Sequence, residues 1–187
     1  MFAGHLDLNE PLVWTVDDAL SRSDCEAYIR RISESSAAEV APIVGHDGEP
    51  EIDLAVRSNT RVMWDEEGEA NALLARVAHT VPAKLLGMTL AGANPRLRLY
   101  RYAPGQKHGV HWDTVVELEG GVRSLLTLVF YVNDGFDGGD TDFPELEQRI
   151  VPRTGRALIF QHRILHEAMP VHVGTKYVLR TDVFYRP

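Results

Sequence analysis

The chain changes its hydrophobic rhythm once, near Gly92. Before that point apolar residues recur at helical spacing; after it they alternate or run continuously, as in strands. Cys25, Tyr28, Ile29 and Ile32 recur at three- and four-residue intervals. Ser23-Asp24-Cys25-Glu26 opens that stripe with a capping-box pattern, Ser23 as N-cap and Glu26 reaching back, so a helix is predicted to about Ser35. A second stripe, Ala70, Leu73, Leu74, Val77, Ala78 and Val81, predicts a helix from near Asp65 to between Pro82 and Gly87. His79 falls off this stripe and reads as a surface residue. Leu12 to Val16 reads as a strand. Arg57 to Trp64 reads as another, with Arg57, Asn59 and Arg61 on one face. Such a strip is either a solvated sheet edge or a polar lining turned towards a substrate. Residues 41–54 carry Pro42, Gly45, Asp47, Gly48 and Pro50 and read as a mobile loop.

Past Gly92, strands are predicted over Pro95–Tyr102, Ser124–Val132, Ala157–Phe160 and Lys176–Tyr185. The second is almost wholly apolar, as a central strand should be. Asn133 to Gln148 is rich in Gly and Asp and reads as a loop. This loop and the one at 42–50 are both expected to flank the functional face as lids. Two helices followed by many strands imply an α+β fold, a sandwich or barrel packed on helices. A length of 187 residues fits one domain, with 1–92 giving mainly helical support and the first strands and 93–187 the β core.

Composition narrows the function. An apolar fraction of 44% can build a real core. The formal charge of −8, with no basic run, makes generic nucleic-acid binding a poor expectation. Cys25 is the only cysteine, so no intrachain disulfide can form. It reads as a small buried hydrophobe rather than a nucleophile. The start lacks a basic region followed by an apolar run, and no apolar stretch approaches the ~18 residues of a membrane span. A reducing cytoplasm is the expected compartment.

The chemistry centres on His111-x-Asp113. On an extended segment these side chains point to one side and can reach a single ion. His166, 55 residues on, supplies a second imidazole. Together they have the make-up of a two-histidine, one-carboxylate facial triad that leaves positions open on a non-haem Fe(II). Competing ligands remain: His108 three residues before His111, His162 four before His166 as on a metal-binding helix, and His172. Each of these also reads as a surface residue or as one supporting the ligands.

Several further segments carry a resemblance. Tyr102-x-x-Gly105 precedes His111-x-Asp113. Phe130-Tyr131-Val132-Asn133 ends a strand, and Gly138-Gly139-Asp140-Thr141-Asp142-Phe143 follows. Gly155-Arg156-Ala157-Leu158-Ile159-Phe160 leads to His166-Glu167-Ala168-x-Pro170-Val171 and Gly174-Thr175-Lys176-Tyr177. Over residues 96–186 this set resembles the 2-oxoglutarate- and Fe(II)-dependent dioxygenases of the prolyl 4-hydroxylase-like branch, with Asp140 where Glu is usual.

The resemblance implies a double-stranded β-helix (jelly-roll, cupin-like) core. It implies that His111, Asp113 and His166 hold Fe(II). Lys176 and Tyr131 would meet the distal carboxylate of 2-oxoglutarate, Tyr102 would line that pocket, and ascorbate would serve as reductant. The implied reaction consumes dioxygen, converts 2-oxoglutarate to succinate and CO2, and hydroxylates an unactivated C–H bond. A prolyl residue or proline is the leading substrate; another free amino acid or small metabolite is the alternative. A barrel that binds metal without catalysis is a rival of another class, though no ligand is missing.

Charge and parity add to this. A buried lysine without an anion would be costly, and Lys176 lies in an apolar strand pattern. If it points inward, Val178, Arg180 and Asp182 follow it, and Arg98 and Tyr100 follow Tyr102. Arg98, Tyr100 and Arg180 are therefore candidate substrate residues, with pairing of Arg180 to Asp182 as the structural alternative.

Overall fold

The computed structural model describes residues 5–45 and 49–187. Its elements, in chain order, are β1 (Val13–Val16), α1 (Arg22–Ser33), β2 (Glu39–Val40), β3 (Ile43–Val44), β4 (Pro50–Glu51), β5 (Thr60–Asp65), α2 (Glu67–Val77), β6 (Lys84–Leu85), β7 (Met88–Ala93), β8 (Arg96–Tyr102) and β9 (His108–His111). There follow β10 (Arg123–Tyr131), β11 (Asp137–Gly138), β12 (Thr141–Phe143), β13 (Gln148–Ile150), β14 (Ala157–Gln161), β15 (His166–Ala168), β16 (Val171–Val173) and β17 (Lys176–Arg186).

The major sheet runs β1-β14-β10-β17-β8-β5-β2, with β7 also paired to β17. A smaller sheet, β13-β12-β15-β9, faces it. The whole is the double-stranded β-helix expected, with two helices in support.

Strand alternation gives the major sheet two different faces. Leu97, Leu99, Leu126, Leu128, Phe130, Ile159, Leu179 and Val183 turn to one side, where they pack with Cys25 and Ile32 of α1 and with Ala70, Leu73, Leu74 and Val77 of α2. Tyr100, Tyr102, Val129, Tyr131, Leu158, Phe160 and Val178 turn to the other, against Phe143, Ile164 and Val171. The helix-side layer is the purely apolar core. The layer between the sheets is where polar groups gather.

Strand β17 is paired along its length, with β10 on one edge and β8 and β7 on the other. Lys176, Val178, Arg180 and Asp182 share its inter-sheet side, as parity requires. No helix among the described residues is long and apolar enough to cross a membrane.

Four expectations need correction. The capping box of α1 is Ser21 with Asp24, not Ser23 with Glu26: the Ser21 hydroxyl accepts from the Asp24 amide and the Asp24 carboxylate accepts from the Ser21 amide. The helix therefore starts two residues early, because the Ser-x-x-Asp spacing is as good a box as Ser-x-x-Glu. The strip from Arg57 to Arg61 is not a solvated edge. Arg61 lies in β5, between β2 and β8, while Arg57 and Asn59 precede that strand and are buried, Arg57 bridged to His108 and Asn59 bonded to the Ala41 amide.

Asn133 to Gln148 is not an open loop either. It contains β11, β12 and a 3-10 turn at Pro144–Leu146, and Phe143 is fully buried, so the lid expected there is part of the barrel wall. Turn residues marked the bends correctly but hid the short strands between them. Lastly, His162 lies in a turn rather than on a helix, so the helical ligand pair His162–His166 does not exist. The loop at 42–50 contains the β3–β4 hairpin; its Asp47 and Gly48 lie outside the described residues.

Replacing the true N-cap tests the corrected helix start. Ser21→Ala is expected to cost about 1 kcal/mol in chemical denaturation, and Ser23→Ala distinctly less. Equal losses would return the cap to Ser23.

Candidate metal centre

Antiparallel pairing of β9 with β15 sets His111 directly opposite His166 in register. Asp113 follows just past the end of β9, its amide donating to the His162 carbonyl at 3.1 Å. One ligand atom each from His111, Asp113 and His166 lies within 4.8 Å of the other two. Each imidazole is oriented the same way. Nδ1 of His111 is 2.7 Å from the Gly109 carbonyl and Nδ1 of His166 is 3.0 Å from the Ile164 carbonyl. A carbonyl can only accept, so Nδ1 carries the proton in both, and the Nε2 lone pair is free. Both Nε2 atoms face Asp113, at 3.7 Å from its two oxygens. Backbone carbonyls that fix the tautomer in this way are a common support for metal-binding histidines.

The protonation states suit a cation. Burial, then the charge of neighbouring His166, brings the His111 imidazole down to about 3. Burial also lowers His166. Burial alone would raise Asp113, but Arg180 and the imidazoles outweigh it and hold the carboxyl well below the usual range. Two neutral imidazoles and one carboxylate are the donor set that a divalent ion needs.

The carboxylate is itself held from two sides. Thr127 Oγ1 donates to Asp113 Oδ2 at 2.5 Å and lies 2.9 Å from His162 Nδ1. Arg180 Nη2 is 2.9 Å from Oδ1. Thr127 escaped the sequence reading, although a lone polar residue in the apolar run of β10, on the same face as Tyr131, was the signal. His162 supports Thr127 from its buried position, and His172 is exposed. His108 is no part of the ligand group. Its ring stacks behind His111, centroids 3.6 Å apart.

The same cavity continues to Lys176, Tyr131 and Tyr102. Lys176 is 1% exposed, and its Nζ donates to the Gly139 carbonyl. It lies 5.3 Å and 5.5 Å from the Tyr102 and Tyr131 ring centroids and forms no ion pair with a described residue. Burial pulls its pKa down to about 7, against the opposing charge of Asp140. Tyr131 hydroxyl and Thr141 Oγ1 are 2.7 Å apart. Gly139 has a left-handed φ of 70°, and an added Cβ would come within 3.1 Å of Val171 and 3.2 Å of the Lys176 chain. Only glycine lets this turn close over the lysine. Asn133 pins the end of β10 to β17, accepting from the Tyr177 amide and donating to the Thr175 carbonyl.

The expected substrate residues separate. Tyr100 lines the cavity with the candidate ligand set and the outer cleft as well, whereas Arg98 lines the cleft alone. Arg98 Nη1 pairs with Asp182 at 3.1 Å, and Arg180 bridges Asp182 and Asp113, so the structural pairing of Arg180 is present. Arg57 lines both cavity and cleft.

Comparison with known proteins agrees with this geometry. Residues 97–181 match the model of the 2OG-Fe(II) oxygenase superfamily. A protein of Acanthamoeba polyphaga mimivirus described as "Putative prolyl 4-hydroxylase" is 33% identical over 100 residues. That match covers 44% of this chain and only 41% of the relative. A Pseudomonas putida prolyl-4-hydroxylase structure superposes with a TM-score of 0.66 at 21% identity, covering 97% of this chain and 96% of that one. A Trichoplax adhaerens prolyl hydroxylase, solved with a hypoxia inducible factor peptide fragment, gives 0.67 at 15%, covering 95% and 85%.

Residues 97–181, which hold the three candidate ligands and Lys176, are thus similar to the 2-oxoglutarate/Fe(II)-dependent dioxygenases, and the viral relative is described as one of the prolyl 4-hydroxylase kind. Fe(II) and 2-oxoglutarate are the cofactors that this family implies, and the His-Asp-His set fits iron.

Proposed function

We propose that the chain is a 2-oxoglutarate-dependent hydroxylase acting on an unactivated C–H bond, with a prolyl residue or proline as the leading substrate. The observation that carries this reading is the shared cavity. One end offers two Nε2 lone pairs and a carboxylate; the other offers a buried lysine that forms no ion pair with a described residue. A metal and a dicarboxylate between them would satisfy both ends. The prolyl preference is supported by what the relatives are called. In this reading His111, Asp113 and His166 hold iron, which when bound supplies the oxidising chemistry.

Lys176 takes the distal carboxylate of 2-oxoglutarate, and Tyr102 lines its pocket. Tyr131 reaches the same carboxylate by turning its hydroxyl from Thr141, or else orients Thr141 towards it. Thr127 and Arg180 position Asp113: each holds one carboxylate oxygen, so the group cannot swing. The surrounding apolar wall of Val129, Leu158 and Phe160 excludes water. Ascorbate is the proposed reductant that rescues iron after uncoupled cycles.

Two tests address the two ends. His111→Ala, Asp113→Ala or His166→Ala should abolish succinate formation and weaken Fe(II) binding in anaerobic chelator competition, while His108→Ala and His172→Ala keep the metal. Thr127→Val should weaken Fe(II) binding about tenfold with the fold intact. Loss of metal in His108→Ala, with retention in His111→Ala, would reassign the ligands.

At the other end, binding of the dianion needs protonated Lys176, whose pKa without the anion is about 7. The dissociation constant for 2-oxoglutarate should be flat below that pH. Above it, it should rise by up to ~10-fold per pH unit as the proton is lost. Lys176→Ala should raise it by about 100-fold and remove the pH dependence. A flat profile to pH 9 would show that the Lys176 pKa is not lowered in this way, and an unchanged 2-oxoglutarate affinity in Lys176→Ala would exclude Lys176 as the anchor.

A further inference from the structure

Arg57 stands where the cavity opens into the outer cleft, and it lines both. The residue is 8% exposed. Its Nε donates to Asn59 Oδ1 at 3.0 Å and its Nη1 to the Pro42 carbonyl at 3.1 Å. The guanidinium carbon lies 5.0 Å from the centre of the Tyr100 ring. These are neutral partners. Among the described residues Arg57 forms no ion pair, whereas Arg61 has Glu39, Arg98 has Asp182, and Arg180 has Asp113 and Asp182. A buried cation held only by neutral groups is unfavourable unless an anion joins it.

Its placement is not incidental. The Gly109 amide donates to the Val56 carbonyl and the Ser58 amide to the Lys107 carbonyl; Lys107 in turn donates to Ser58 Oγ, and Arg57 bridges to His108. The backbone of Arg57 is thereby locked to the strand that carries His111. Asn59, fully buried, fixes the direction of the guanidinium.

We propose that Arg57 is the receptor for a carboxylate of the primary substrate, so that the substrate is a small free acid rather than an internal residue of a peptide. The guanidinium also hydrogen-bonds the Tyr100 hydroxyl, another neutral group, so its planar fork is without a described carboxylate and suits one from a ligand. A ligand seated on Arg57 would project its body past Tyr100 towards His111 and Asp113. An internal peptide residue offers only a neutral carbonyl there and would leave the charge uncompensated. This inference rests on the hydroxylase reading and deepens it: it selects the free acid among the substrates that reading allows.

The test uses the full chain loaded with Fe(II) and 2-oxoglutarate. Two sets are screened for a 16 Da gain: L-proline and the other free amino acids, and the same compounds as amides with end-blocked prolyl peptides. The expected result is hydroxylation confined to the acid set. For the acid found, Arg57→Gln should raise KM about tenfold or more, with kcat falling less; Arg57→Lys should recover part of the loss. Anaerobic calorimetric titration of the same acid into the Arg57→Gln protein should show the matching loss of affinity. Hydroxylation of amides or blocked peptides as efficient as that of acids overturns the proposal without needing any variant. So does an unchanged KM in Arg57→Gln. If 2-oxoglutarate is decarboxylated but neither set gains mass, the assignment to a free acid is overturned too. Absence of Fe(II)-dependent 2-oxoglutarate turnover would instead remove the hydroxylase reading itself.

Discussion

The direct opposition of His111 and His166 across the β9–β15 ladder is the constraint on which the site rests. Neither strand is long, and neither would hold its place alone. Their pairing brings together residues far apart in the chain, and the adjoining strand β12 extends the same ladder. Once the strands are in register, the carbonyls of Gly109 and Ile164 fall where they can fix both imidazoles. The geometry of the candidate ligand set is a product of backbone hydrogen bonding more than of side-chain packing.

The electrostatics of the layer between the sheets follow from that. Asp113, Arg180, Asp182 and Arg98 form a continuous run of opposite charges from the ligand set to the cleft. Buried ion pairs of this kind contribute little net stability, because desolvation offsets their attraction. Their value is positional. Arg180 and Thr127 each hold one oxygen of Asp113, and removing either frees a carboxylate in an apolar wall. Lys176 and Arg57 differ from this run, since both are buried cations without an ion-pair partner among the described residues.

Much of this was legible in the sequence wherever periodicity was long enough to see. The stripe of α2, the apolar run of β10 and the alternation of β17 each announced an element and its facing. Strand parity, which puts i and i+2 together, favoured His111 with Asp113 over His108 with His111 as the candidate pair, and the structure brings His166 to the same group. The misses have a common cause: they depend on partners distant in sequence. Nothing local to Arg57 or Asn59 reveals that Ala41, Pro42 and His108 come to cover them, so the sequence left both a solvated edge and a polar lining open. Thr127 gains its meaning from Asp113, and β12 exists because β15 pairs with it. The capping error was local, a choice between two overlapping boxes that spacing alone does not decide.

Strand β17 carries the buried Lys176, a wall residue at Val178, and the charges of Arg180 and Asp182 on one side, with Leu179, Val183 and Tyr185 on the helix side. Both of its edges are paired. In a strand so committed a point replacement changes one contact at a time, whereas a change in length changes them all. Inserting or deleting a single residue near Lys176 would turn the charges into the apolar layer and the leucine and valine into the cavity at the same moment. Sequence change tolerated by this fold should therefore run through substitution along β17, while length variation is left to the hairpins and turns around the cleft.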